Sequence, residues 1–256
     1  MQWIFLSPHF DDIALSCGGL VWECSAAGEP ASVWTVCAGK PPQREFSDYA
    51  KLHHERWETG TQAVEHRREE DRASCEIMHA SHRYFNIPDC IYRPRRKNIP
   101  HYYTSGIDIF GAVHPAERKN LVNRLSQLFI REFPPGTQIV CPLTLGNHVD
   151  HQITRLAAER AARHLGVSLL YYADYPYAAQ QPEQIASYQH QGWECVHFKI
   201  SQGGLEAWYA SISAYHTQIS TFWADLENLR KDIWAYAEGQ NGLCLWKPPE
   251  KSQGLV

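Results

Sequence analysis

The stretch Gln2-Trp3-Ile4-Phe5-Leu6-Ser7-Pro8-His9-Phe10-Asp11-Asp12 passes abruptly from apolar to polar residues. Its first half predicts a short buried strand, and its second half places one histidine and two aspartates where that strand gives way to a loop. The stretch Gly146-Asn147-His148-Val149-Asp150-His151 repeats this arrangement, since it follows a second short strand predicted at 138–142. We therefore expect two clusters of histidine and aspartate at the ends of strands.

Around these two stretches, predicted strands alternate with predicted helices. The predicted strands are 2–7, 31–37, 83–87, 138–142 and 168–172. The predicted helices are 18–27, opened by Gly18-Gly19, then 48–80, 116–131, 150–165 and a helical C-terminal segment at about 205–240. This alternation predicts a three-layer Rossmann-like α/β fold with a mostly parallel central sheet, in one domain covering 1–256. Because such folds bind ligands at the carboxyl ends of their strands, both clusters should reach the same edge.

The composition excludes several other classes of protein. The 256 residues are 44% hydrophobic and 20% charged, and a formal charge of -4 gives no basis for binding nucleic acid or an anionic membrane. The apolar run at 3–6 is too short for a signal peptide, and no window is long enough to span a membrane. We therefore expect a cytosolic protein whose eight cysteines, which form no C-x-x-C pair, are reduced.

The histidines and aspartates of the two clusters fit a catalytic zinc site. Such sites use three protein ligands and keep a fourth position for water. His9, Asp12 and His151 fit this ligand set. Zinc lowers the pKa of a water from ~16 to roughly 7, which makes a nucleophile available at neutral pH. The alternative is that these polar residues only cap the ends of buried strands.

The other members of the clusters fit acid–base roles beside the metal. Asp11 lies next to a ligand and could accept the proton of the water as a general base. His148 could donate to a tetrahedral oxyanion or protonate a leaving amine. Asp150 could hold the imidazole of His148 in one tautomer and raise its pKa.

These motifs resemble those of the PIG-L (LmbE-like) family of zinc-dependent N-deacetylases. That family has an H-P-D-D motif, a following Gly-Gly and a later H-P-D-H motif. The corresponding segments here are Ser7-Pro8-His9-Phe10-Asp11-Asp12, Gly18-Gly19 and His148-Val149-Asp150-His151. Further similarity lies at Arg67-Arg68-Glu69-Glu70-Asp71-Arg72-Ala73, Ile87-Pro88-Asp89 and Tyr215-His216-Thr217-Gln218, so that the resemblance spans roughly 2–220.

The resemblance implies the same division of roles. It implies zinc ligands at His9, Asp12 and His151 and a general base at Asp11. It also implies that His148, oriented by Asp150, stabilises the oxyanion or acts as an acid. It also makes Arg67 and Asp89 candidates for the substrate pocket. For Arg67 an ion pair at the surface or between helices is an equally good interpretation.

Three positions depart from the family pattern. Phe10 and Val149 replace prolines that would stiffen the two metal loops by fixing φ. Gly146 stands where some members have a tyrosine, two residues before the first histidine of the second motif. The missing hydroxyl could be supplied from elsewhere, and Tyr102, Tyr103 and Tyr175 are the candidates.

The resemblance implies a zinc-dependent hydrolase that removes an N-acetyl, or other N-acyl, group from an amino-sugar substrate such as an N-acetylglucosaminyl compound. The expected cofactor is therefore Zn²⁺ and the expected partner a small molecule, with the oligomeric state left open. Two alternatives remain. One is an amidase acting on a thiol conjugate or a sugar-decorated natural product, and the other a non-catalytic sugar- or nucleotide-binding module.

Overall fold

A seven-stranded sheet forms the centre of the structure, a computed structural model that describes residues 1–56, 63–94, 96 and 98–249. The strands are β1 (Gln2–Ser7), β2 (Ala31–Thr35), β3 (Ser81–Tyr84), β4 (Thr137–Pro142), β5 (Leu169–Tyr172), β6 (Glu194–Phe198) and β7 (Leu243–Lys247). Their order across the sheet is β3-β2-β1-β4-β5-β7-β6. Strands β1 to β5 pair in parallel, whereas β7 runs antiparallel to both β5 and β6. Because β1 and β4 are neighbours, their carboxyl ends lie side by side.

Helices connect these strands throughout the part of the chain that the structure describes. They are α1 (Asp12–Ala26), α2 (Asp48–Arg56), α3 (Ala63–Ile77), α4 (Gly106–Ile109), α5 (Pro115–Glu132), α6 (Val149–Leu165), α7 (Tyr177–Gln180), α8 (Pro182–His190), α9 (Gln202–Ser213), α10 (His216–Phe222) and α11 (Leu226–Gly239). Single turns of 3-10 helix lie at Cys90–Tyr92 and Leu145–Asn147.

Two hydrophobic cores lie on the opposite faces of the sheet. Ile4 and Leu6 of β1 pack in the core that contains α5 and α6. Trp3 and Phe5, which alternate with them along β1, pack in the core that contains α1, α9 and α11. A strand whose alternate residues enter two cores is buried on both faces, as in doubly wound sheets. The predicted three-layer Rossmann-like fold with a mostly parallel sheet is confirmed.

Several predicted boundaries differ from the structure. The third strand lies at Ser81–Tyr84 rather than 83–87. Phe85 and Ile87 are buried, which gave them the apolar pattern of a strand, but they lie beyond its last paired residue, where only isolated bridges occur. The helix predicted at 48–80 is represented by α2 and α3, and 57–62 lie outside the described residues. The helical C-terminal segment is present as α9 to α11, but the antiparallel strands β6 and β7 beside it have no counterpart in the prediction.

Gly18 and Gly19 lie inside α1, not at its start. Their function is close packing against α9, since a Cβ at Gly18 would lie 2.8 Å from both Ser211 Oγ and Trp208 Cδ1. Trp208 is fully buried, and its indole N–H donates to Leu15 O at 3.2 Å. The missing side chain therefore lets α9 approach the helix that carries the first metal motif.

We expect Gly18→Val to destabilise the protein by about 2 kcal/mol, because overpacking a close-packed contact costs roughly 1–3 kcal/mol. Gly239→Val is the matched control, since a Cβ at Gly239 meets no atom within 4 Å and a surface change of this kind stays within about 0.5 kcal/mol. Urea unfolding of both variants measures the difference. Equal stability of the two would show that the contact between α1 and α9 can relax freely.

The expectation that all eight cysteines are reduced is wrong for two of them. Cys195 of β6 and Cys244 of β7 form a disulfide, because the antiparallel pair that the sequence did not predict brings them together. The other cysteines are free and buried: Cys17, Cys24, Cys37, Cys75, Cys90 and Cys141. Among the described residues, no helix combines the length and the hydropathy needed to cross a bilayer.

Candidate active site

The two histidine–aspartate clusters meet at one edge of the sheet. His9 and Asp11 follow β1 directly, and Asp12 is the first residue of α1. His148 follows β4 and its 3-10 turn as the N-cap of α6. Because β1 and β4 are adjacent and parallel, both helices begin beside each other. The expected convergence of the two motifs is observed.

Asp12 lies between the two histidines that were predicted as its partner ligands. Its Oδ2 is 3.5 Å from His9 Nδ1, and its Oδ1 is 3.4 Å from His151 Nε2. Two imidazole nitrogens beside one carboxylate are the donor types of a three-ligand zinc site. His9, His148 and His151 also have ring nitrogens within 4.8 Å of one another, so a three-histidine set must be considered beside the predicted one.

The outward nitrogens of both predicted ligands are held by carboxylates. His151 Nδ1 lies 2.6 Å from Asp174 Oδ1, and His9 Nε2 lies 3.0 Å from Asp150 Oδ2. These contacts leave His151 Nε2 and His9 Nδ1 to face Asp12. Metal-binding histidines commonly donate their second N–H to such a carboxylate, which fixes the tautomer and the ring orientation. The residues present therefore fit a divalent metal.

Asp174 is a site residue that the sequence analysis missed. It follows β5, the neighbour of β4, at the same edge of the sheet as the two motifs. Besides His151 it accepts the backbone N–H of Leu145 at 2.9 Å and is almost fully buried. An acidic residue just after a parallel strand was the available signal, the same one that marked the other two clusters.

We expect Asp174→Asn to weaken zinc binding roughly 10–100-fold, as is usual when the partner of a ligating histidine is altered. The amide nitrogen would face the Nδ1–H of His151 in one orientation, and in the other its oxygen is a weaker acceptor than a carboxylate. Competition with a chromogenic chelator measures the affinity. Asp225→Asn, which changes only the exposed cap of α11, is the control. Equal affinities of the two variants would contradict a role for Asp174 at the metal.

His148 is held in a way that differs from the prediction. Its Nδ1 accepts the backbone N–H of Asp150 at 3.2 Å, as the N-cap of α6. An Nδ1 that accepts a hydrogen bond places the proton of the neutral ring on Nε2. Burial, and next the charge of His9, lower the pKa of His148 to about 3, so the ring is neutral. The charge of Asp150 does raise this pKa, as predicted, but desolvation by burial outweighs the carboxylate.

The carboxylate of Asp150 serves a different histidine. Its Oδ2 contacts His9 Nε2 and accepts the backbone N–H of Cys90, each at 3.0 Å. Its side chain is fully buried. The backbone of Asp150 thus fixes the tautomer of His148, while its side chain orients His9.

Arg67 pairs with Asp11, the predicted base, at a distance of 3.0 Å between Nη2 and Oδ1. Although burial lowers the pKa of Arg67, the charges of Asp11 and Asp89 raise it above its usual value. Arg67 is only 9% exposed, so of the ion pairs considered as alternatives the structure shows a buried one, between α3 and the N-cap residue of α1, rather than one at the surface. Asp89 Oδ2 lies 3.6 Å from His9 Nε2, and its Oδ1 caps the 3-10 turn that follows. Binding of substrate by Arg67 and Asp89 stays a prediction.

Most of the predicted site residues line a single cavity of about 210 Å³. The predicted residues that line it are His9, Asp11, Asp12, Arg67, Asp89, His148 and His151. His53, Phe110, Tyr177 and Gln218 also line it and were not predicted. The cavity is smaller than the roughly 300–1,000 Å³ typical of sites for drug-sized ligands, so it suits one end of a substrate.

The position of the missing family tyrosine is filled by a residue from another segment. Gly146 has a φ of 75° and lies against the ring of Tyr177, where a Cβ would be 2.6 Å from Cδ1. Burial, then the charges of Asp12 and Asp174, raise the pKa of Tyr177, so its hydroxyl keeps its proton. Of the tyrosines considered from sequence, only Tyr175 lines the cavity.

The loops that lost their family prolines are stabilised by other contacts. The backbone N–H of His9 donates to Asp12 Oδ2 at 2.6 Å, and Ser7 Oγ donates to His9 O at 2.5 Å. Phe10 is buried with the guanidinium of Arg67 5.5 Å from its ring centroid. The ring of Phe10 therefore packs against Arg67, the partner of Asp11, and helps to hold this loop in place of proline.

The other two family-like segments bind to each other. Tyr215 donates to Asp71 Oδ1 at 2.8 Å and also contacts the carbonyl of Phe10. Thr217 donates to Glu70 through both its backbone N–H, at 2.8 Å, and its hydroxyl, at 2.7 Å. These contacts fix α10 against α3 and the first metal loop. Their role in this structure is to support the loop.

The fold and the site together define a Rossmann-like α/β protein with a histidine- and aspartate-rich cavity at the carboxyl edge of its sheet. The family model described as GlcNAc-PI de-N-acetylase matches residues 4–162, which is more than half of the chain. The chain therefore belongs to the PIG-L family, as the motifs predicted.

Three similar proteins illustrate this relationship. The 2'-N-acetylparomamine deacetylase of Niallia circulans is 26% identical over 77% of this chain and 74% of that protein. The protein of the same name from Streptomyces fradiae is 29% identical over 70% of this chain, which spans 58% of that longer protein. The solved structure of the zinc inhibited form of teicoplanin deacetylase Orf2 is 23% identical, covers 97% of both chains and has a TM-score of 0.76. That structural likeness supports the fold.

Proposed function

We propose that this protein is a metal-dependent N-deacetylase that hydrolyses the acyl amide of an amino-sugar compound. The observation that carries the proposal is the arrangement of His9, Asp12 and His151 beside Asp11 and His148 in one cavity. Amide hydrolysis needs an activated water, a base and a donor to the oxyanion, and these residues offer all three.

Zinc held by His9, Asp12 and His151 would polarise the amide carbonyl and lower the pKa of a water. Asp11 accepts the proton of that water as it attacks the carbonyl carbon, and the ion pair with Arg67 keeps its carboxylate aimed into the cavity. The Nε2–H of His148 donates to the carbonyl oxygen as negative charge develops on it. When the C–N bond breaks, the proton on Asp11 passes to the leaving amine, so one water and one amide become one acid and one amine.

The neutral state of His148 supports one of its two predicted roles over the other. A ring with a pKa of about 3 carries no second proton to give to the amine at neutral pH. Donation to the oxyanion needs only the proton already on Nε2. We therefore assign the oxyanion to His148 and leave protonation of the amine to Asp11.

The class of substrate is supported by the relatives. Two of them are described as 2'-N-acetylparomamine deacetylase, and the structural neighbour as teicoplanin deacetylase. A cavity of about 210 Å³ takes the acylated sugar while the rest of the substrate lies outside. A non-catalytic sugar- or nucleotide-binding module would have no need of a base and a donor beside a metal site. We also propose that 1–256 form one domain, acting in the cytosol on a small molecule.

Metal analysis combined with an activity screen tests this function. The purified protein is loaded with zinc, cobalt or manganese at one equivalent and then with excess zinc, because the neighbour is described in a zinc inhibited form. Acylated amino sugars and acylated thiol conjugates are assayed for released acyl acid. We expect release from the amino sugars that a chelator abolishes. Release from thiol conjugates alone would favour the amidase alternative, and no release with any metal would overturn the proposal.

A further inference from the structure

A buried ion pair lies directly behind the metal site and takes no part in the chemistry described above. Arg93 is 3% exposed and binds Glu117 of α5 through Nε at 2.7 Å and through Nη2 at 3.1 Å. Tyr103 donates its hydroxyl to the same carboxylate at 2.9 Å, and Arg93 Nη1 donates to Pro88 O at 3.0 Å. All three nitrogens of the guanidinium are therefore hydrogen-bonded.

The same guanidinium reaches the site through Asp150. Its Nη2 lies 2.6 Å from Asp150 Oδ1, in an ion pair. The other oxygen of Asp150, Oδ2, contacts His9 Nε2 at 3.0 Å. A continuous path of contacts thus runs from Glu117 through Arg93 and Asp150 to a predicted metal ligand.

The charges along this path explain why each member is needed. Asp150 is fully buried, and a buried carboxylate without a cation beside it is strongly disfavoured. Arg93 supplies that cation, and Glu117 prevents the cation from swinging toward other acceptors. With Oδ1 held in this way, Oδ2 is left to accept from His9.

We propose that Arg93, braced by Glu117, is a positioning residue for the metal ligand His9. Through Asp150 it keeps the Nε2–H of His9 directed away from the cavity, so that Nδ1 faces Asp12 and the metal. This inference rests on the metal site of the proposed function. Arg93 belongs to none of the motifs of the sequence analysis, because its role depends on contacts far away in the chain.

A double-mutant cycle on zinc affinity tests the proposal. Arg93→Lys keeps the charge but loses the fork that holds Glu117 and Asp150 together. We expect it to weaken zinc binding about tenfold, at the lower end of the usual effect of altering a ligand's support. In a protein that already carries Asp150→Asn, the same substitution should change the affinity less than twofold, because its route to His9 is gone. Glu117→Gln provides a second cycle that preserves the shape of the partner.

Arg155→Lys is the matched control. Arg155 is also a largely buried arginine, paired with Glu159 at 2.8 Å on α6, the helix that carries His151. It should leave zinc affinity unchanged even if it lowers stability, which circular dichroism monitors for every variant. An additive effect of Arg93→Lys with Asp150→Asn, or no effect of either Arg93→Lys or Glu117→Gln, would overturn the proposal. If the wild-type protein binds no zinc, the proposed function itself fails, and the two failures are thus distinguishable.

Discussion

Replacing Asp11 by asparagine is expected to lower kcat by about 10²–10⁴-fold while the protein keeps its full complement of zinc, because general-base catalysis contributes about this much. Asparagine has nearly the same shape but cannot accept the proton of the attacking water. Asp11 makes no contact with His9 or His151 of the kind that Asp12 makes, and its described partner is Arg67. Steady-state kinetics and metal analysis on the same preparation measure both quantities.

The control for this prediction must separate chemistry from lost charge pairing. Asp11→Asn replaces the carboxylate beside the buried guanidinium of Arg67 with a neutral amide, and this alone lowers stability. Asp71→Asn alters another buried carboxylate in the same neighbourhood, bonded to Tyr215 and outside the set of residues that line the cavity. We expect it to cost stability but less than tenfold in kcat. Full turnover by Asp11→Asn would remove Asp11 from the mechanism, and a loss of zinc would make it a ligand.

The fold was predictable because its signals are local. The parallel strands β1, β2, β4 and β5 are short and largely apolar runs, and the polar clusters follow β1 and β4. Because parallel strands present their carboxyl ends at one edge of the sheet, the sequence alone predicted that His9 and His151 lie close together. The antiparallel strands β6 and β7 were missed because they lie before and after the predicted helical segment at about 205–240, which suggested that helices complete the fold.

The supporting residues of the site were less predictable, because they act over long distances in the chain. Asp174 orients His151 from the end of another strand, and Arg93 reaches Asp150 from a segment that carries none of the predicted motifs. The role of His148 stays a prediction for a similar reason. Its type and place fit an oxyanion donor, but its pKa depends on burial among other charged groups, which spacing does not reveal.

His151→Ala is expected to abolish stoichiometric zinc binding, and with it all measurable turnover. The substitution removes the nitrogen that faces Asp12 Oδ1 at 3.4 Å, and it leaves the buried carboxylate of Asp174 without its imidazole partner. A site reduced from three protein ligands to two has no remaining tetrahedral arrangement of the catalytic type. Equilibrium dialysis followed by elemental analysis measures the zinc bound, and Asp174→Asn gives the intermediate affinity for comparison.

The paired variant His148→Ala makes this prediction decisive, because His148 belongs to the three-histidine set that geometry alone permits. Its Nδ1 is engaged by the start of α6 and its Nε2 carries the proton, so neither nitrogen has a lone pair free for a metal. We therefore expect His148→Ala to retain zinc and to lose about 10²–10³-fold in kcat, the usual cost of an oxyanion donor. If His148→Ala loses zinc and His151→Ala keeps it, the ligand set changes. His148 would then bind the metal, and the oxyanion would need another donor, for which the protonated hydroxyl of Tyr177, which also lines the cavity, is a candidate.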